Sequence, residues 1–124
     1  MRDMDLIRKL LLNLEPVDFR LGNFVIVSPE IEGYNPNQID HHLDLMCDAG
    51  FLNGKESVKL ATGFAFCGLT WEGYELLDSI RDDDVWRKTK GGLQSAGGFT
   101  IDLLKDLAKG FLKKQVEEKT GITL

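Results

Sequence analysis

A chain of 124 residues with formal net charge -5 and a pI near 5.0 is sized for one domain, with room for an appended helix. Its 43% hydrophobic and 28% charged content are those of an ordinary globular protein, and the acidic balance argues against a general binder of nucleic acid or anionic membrane. Two cysteines cannot make a disulfide framework, Arg2, Asp3 and Asp5 stand where a secretory signal needs an apolar run, and no apolar stretch approaches the roughly 18 residues of a membrane span, so a cytoplasmic protein with free thiols is expected.

Leu6, Ile7, Leu10, Leu11 and Leu14 recur at helical spacing and predict a helix over 5–14, stopped by Pro16. Residues 23–28, rich in β-branched side chains, predict a strand ended by Pro29. Turn chemistry follows at Gly33, Tyr34, Asn35 and Pro36. Asn35 as cap, Pro36 in the first turn and Gln38 three residues past the cap mark a helix to about Ala49, with Gly50 beyond it. Its apolar face carries Ile39, Leu43 and Met46, flanked by His42; Asp40, Asp44 and Asp48 repeat every four residues on another side, with His41 beside them. Residues 57–61 and 64–69 predict two short strands joined near Thr62 and Gly63. Thr70 is expected to cap a helix over 71–81 that turns Trp71, Tyr74, Leu77 and Ile80 or Leu76 inward, and Val85 to Lys88 add one further turn. Two glycine pairs, Gly91-Gly92 and Gly97-Gly98, make 91–99 a flexible linker by composition. A final amphipathic helix is expected over 101–119, capped by Thr100 and stopped by Gly121.

The charge distribution is uneven. Residues 21–54 contain Glu30, Glu32, Asp40, Asp44 and Asp48 and no Lys or Arg, so this window holds the whole net charge. An acidic stripe is either a solvated helix face or a recognition surface for a basic partner, in the manner of a DNA mimic. Like charges four apart cost a helix a few tenths of a kcal/mol each. The partner-binding residues expected are Asp40, His41, Asp44 and Asp48. Leu104, Leu107, Phe111 and Leu112 form a broad apolar face on the last helix, which can dock back on its own domain, swap into a second copy or bind another protein, and they are the oligomerisation residues expected.

No catalytic constellation is recognisable. His41 and His42 are adjacent and point about 100° apart, and with Cys47 and Cys67 they lack the paired spacing of a structural zinc site. Asp82, Asp83 and Asp84 suit helix capping better than magnesium. The glycine pairs lack the lysine and serine of a phosphate loop. Phe64, Phe66, Trp71, Tyr74 and Trp86 lack the interleaved cations of a stacking surface, so core packing is expected of them. No cofactor and no metal are expected.

The order helix, strand, helix, strand, strand, helix resembles a winged-helix domain. Two phrases carry the likeness: residues 39–52, a helix running through Ala49-Gly50 to the apolar pair Phe51-Leu52, and Leu69-Thr70-Trp71-Glu72-Gly73, the step out of the wing. The opening residues 2–11, the Trp71-Glu72-Gly73 step and residues 77–86 together resemble domain-of-unknown-function family 2513, small bacterial and phage or prophage proteins with no assigned activity. The expected architecture is α+β: a winged-helix-like domain with a small antiparallel sheet over 1–90, a linker over 91–99 and a tethered helix over 100–124. The expected role is a non-catalytic interaction protein. The alternative is a DNA-binding regulator that takes its cations from Lys55, Lys59, Lys105, Lys109 and Lys113.

Overall fold

The computed structural model describes residues 2–17, 24–53, 59–60, 63–98 and 100–124, and it is α+β. Asp3 sets the start of α1 (Met4–Leu14): its carboxylate accepts from the Leu6 N–H at 3.2 Å, and Leu6, Ile7, Leu10, Leu11 and Leu14 are buried as their spacing requires. β1 (Val25–Val27) is shorter than the predicted strand. α2 (Pro36–Asp48) begins with a complete capping box, Asn35 accepting from the Gln38 N–H and Gln38 accepting from the Asn35 N–H, each at 2.9 Å. It packs on α1 and buries Ile39, His42, Leu43 and Met46.

β2 (Lys59–Leu60) and β3 (Gly63–Phe66) complete an antiparallel sheet of order β1-β3-β2, in which Val25, Ile26 and Val27 face Phe66, Ala65 and Phe64. Alternation along β3 turns Phe64 and Phe66 into the core, as expected for them. Residues 54–58 and 61–62, where the rest of the hairpin was expected, lie outside the described residues.

α3 (Trp71–Ile80) starts at Thr70, whose hydroxyl accepts from the Gly73 N–H at 2.9 Å and donates to the Gly50 carbonyl at 2.5 Å. The inward face differs from the expected one. Trp71 is 77% exposed and Tyr74 38%, while Leu76, Leu77 and Ile80 are buried. Gly73 sets this phase: a Cβ there would overlap the Phe51 carbonyl oxygen, so the helix approaches the residue 51 backbone through its one position without a side chain. Turning Gly73 inward carries Trp71 and Tyr74 out.

The chain divides into two compact units, Met1–Leu77 and Asp78–Leu124. In the second, α4 (Asp83–Ala96) replaces most of the expected linker. Asp82 caps it through the Val85 N–H at 3.0 Å, and Val85, Trp86, Thr89 and Leu93 bury one face. Two glycines cost such a helix about 1 kcal/mol each against alanine. Packing offsets that cost, because Gly92 lets Leu107 of α5 (Ile101–Thr120) come in close: a Cβ there would lie 3.3 Å from Leu107 Cδ1. Gly97 ends α4 at φ 79°. The helices run antiparallel, since Asp82 at the start of α4 meets Gln115 near the end of α5. α5 is therefore packed on α4 rather than hung from a flexible tether. Among the described residues no helix is long and apolar enough to cross a membrane.

Candidate functional site

The chain between β1 and α2 walls a concavity of about 800 Å³. Val27, Ile31, Tyr34 and Ile39 give it apolar surface, Gly63 and Phe64 of β3 close one side, and Glu30, Glu32 and Asp40 place carboxylates around it. Among the described residues no Lys or Arg belongs to the lining. Glu30 and Glu32 are exposed and Asp40 is half-buried. A small-molecule pocket is mostly apolar with a few convergent polar groups; an open concavity ringed by three carboxylates is better matched to cationic side chains.

A chain of hydrogen bonds fixes the wall beside it. The Tyr34 hydroxyl donates to Asp3 Oδ2 at 2.9 Å. The Asp3 N–H donates to His42 Nε2 at 2.8 Å, and His42 Nδ1 lies 2.8 Å from the Gln38 carbonyl oxygen. A carbonyl only accepts, so Nδ1 carries the proton and Nε2 is the acceptor. Both ring nitrogens of this buried histidine are thus committed to backbone, and it has neither a free lone pair nor a free proton for chemistry. Burial, the hydrogen bond to Asp3 and the charges of Asp3 and Asp5 push the Tyr34 hydroxyl up to about 12. It stays protonated as a donor to Asp3. Lys9 lies 5.6 Å from the centroid of the Tyr34 ring. The network joins the start of α1, the turn and α2, and gives the concavity a rigid edge.

Of the expected partner-binding residues, one belongs to the concavity. Asp40 lines the concavity; Asp44, His41 and Asp48 do not. His41 and Asp48 are exposed. Asp44 is half-buried, and its Oδ1 is closed off from solvent with no hydrogen-bond partner among the described residues. Its charge acts on Cys47: burial first, then Asp44 and Asp48, push that thiol up to about 11. Both cysteines are free thiols. Among the described residues no group of three or more His, Cys, Asp or Glu side chains is placed to hold a metal ion.

Of the expected oligomerisation residues, Leu104 is fully buried within its own chain and Leu107 packs toward Gly92, while Phe111 and Leu112 are half-buried. Leu104 is therefore a core residue of its own chain rather than part of an exposed face. Lys55 lies outside the described residues, Lys59 stands on β2, Lys105 is half-buried, and Lys109 and Lys113 are exposed. Sequence reasoning missed Tyr34 and the Asp3–His42 bond. It named Glu30 and Glu32 only as members of a base-free window, which was the available signal.

The chain belongs to the family described as hypothetical protein (DUF2513), whose model matches residues 1–99. It is 29% identical over 117 residues to an uncharacterized protein of Haemophilus influenzae, covering 93% of this chain and 98% of that protein. No solved structure matches it.

Proposed function

We propose that this member of the DUF2513 family is a non-catalytic interaction module of winged-helix type, of phage or prophage origin and acting in the cytoplasm, which receives a basic, extended segment of a protein partner in the acid-lined concavity beside α2. The lining carries the reading: Glu30, Glu32 and Asp40 surround apolar side chains, with no Lys or Arg among the described lining residues. Such a surface attracts lysine and arginine, raises their rate of encounter and repels phosphate. The order α1, β1, α2, β2, β3, α3 supports the winged-helix element of the proposal. In that fold a DNA reader lays a helix in the major groove with cations at the phosphates, and α2 has neither Lys nor Arg along its length. The engagement of both His42 nitrogens supports a role without catalysis.

Isotope-labelled protein titrated with a short peptide alternating arginine and valine tests the reading by amide chemical shifts. Shifts are expected to gather at 27–34, 39–40 and 63–64, and to shrink as salt is raised. Equal shifts with a peptide carrying glutamate for arginine would overturn it. So would a short DNA duplex that moves the α2 amides.

A further inference from the structure

Two groups of exposed apolar side chains have opposite charged surroundings. Trp71 and Tyr74 stand one turn apart on the outer face of α3, between the exposed Glu72 and Glu75. The Thr70 bond to the Gly50 carbonyl brings the end of α2, with exposed Asp48, up to the start of this face. Between Lys59 and Arg81 the chain has no Lys or Arg. The second group is aliphatic. Val116, Ile122 (61% exposed) and Leu124 (59%) lie at the carboxyl end of α5 and just past it. Exposed Lys109, Lys113, Lys114 and Lys119 accompany them, and residues 107–116 contain no acid. Of the acids nearby, Glu117 is occupied in accepting from the Leu124 N–H at 2.9 Å, Asp82 of the α4 cap faces Gln115 and Lys119, and Glu118 is the exposed exception.

We propose that the Trp71–Tyr74 face of α3 is an interface for a second copy of this chain, filled by the carboxyl half of that copy's α5. The aliphatic side chains cover the aromatic rings, and the lysines meet Glu75, Glu72 and Asp48 around them. Trp and Tyr are the residues that most often anchor interfaces, and a lysine ammonium over an indole adds attraction. Each copy carries both halves of the contact, so the chain can associate with a second copy of itself through it. This surface shares no residue with the concavity lining, so it stands or falls apart from the function proposed above.

Sedimentation velocity on the full chain over a range of concentration and salt tests it. The native chain is expected to dimerise with an affinity that falls as salt rises. Trp71→Ala should weaken the dimer by on the order of 30-fold, with Trp71→Arg as a second variant and circular dichroism showing that each keeps its helices. Lys113→Glu with Lys114→Glu should weaken it as well, and adding Glu75→Lys to that pair should restore part of the loss. A chain that sediments as a monomer at every concentration overturns the proposal, even if the arginine–valine peptide quenches Trp71 fluorescence. An oligomer indifferent to Trp71→Ala, or to reversal of the two lysines, overturns it too.

Discussion

α2 and α5 are held in opposite ways. α2 is pinned by polar groups: a capping box at Asn35 and Gln38, and the His42 ring wedged between the Asp3 N–H and the Gln38 carbonyl. α5 is longer, 20 residues against 13, yet buries only Leu104 and Ala108 completely. Charge divides similarly. The unit Met1–Leu77 carries twelve acidic and six basic residues, whereas Asp78–Leu124 carries eight and nine. A few directional bonds fix the wall of the concavity, whereas a helix anchored by apolar contact at a few points leaves the rest of its surface exposed.

The contrast breaks first at Leu104. Leu104→Ala should cost about 3 kcal/mol, the usual penalty for emptying a closed apolar site, read from the denaturant midpoint. A loss below about 1 kcal/mol would mean that α5 is not docked as described. On the polar side, Asp3→Ala removes the α1 cap and the Tyr34 acceptor together and should cost about 2 kcal/mol, while Asp102→Ala in the exposed first turn of α5 stays within about 0.5 kcal/mol. Comparable losses from the two would erase the distinction. Gly91→Ala should stabilise the chain by up to about 1 kcal/mol, because the position is mid-helix with open space around it. A flexible linker at 91 would show almost no change.

Two smaller effects sharpen the picture of the acidic unit. Tyr34 titrates near 10 when unfolded and about 12 when folded. Its contribution to stability is therefore complete below pH ~10 and fades as pH rises through about 12. Tyr34→Phe should flatten that alkaline limb of the stability curve, and an unchanged limb would contradict the Tyr34–Asp3 bond. Cys47, pushed up to about 11, should react slowly with iodoacetamide at neutral pH, and Asp44→Asn should speed it. No acceleration would show that Asp44 does not govern the thiol.

Where chemistry was local, the sequence was legible. Thr70, Thr100 and the Asn35-Pro36-Gln38 group act as their positions predict. The errors arose where a distant contact decided. Trp71 and Tyr74 look like core side chains by hydrophobicity, but the missing side chain at Gly73 and the carbonyl of Phe51 set the rotation of α3. Gly91-Gly92 looks like a linker by composition, but it lies in a helix capped by Asp82 that buries Leu93 and admits Leu107 close to Gly92. A base-free window signalled acidity, and the concavity combines Asp40 of α2 with Glu30 and Glu32 from the preceding loop, a grouping that helical spacing alone does not show.

The central claim is that the concavity selects cations on a protein segment. Fluorescence anisotropy of the labelled arginine–valine peptide, measured at low salt against the native chain and against Glu30→Gln with Glu32→Gln and Asp40→Asn, tests it most directly. Saturable binding that the three substitutions weaken by on the order of 10-fold or more is the predicted result. Binding that survives all three unchanged, or a labelled DNA duplex that binds the native chain and loses that binding on α2 substitution, would contradict it.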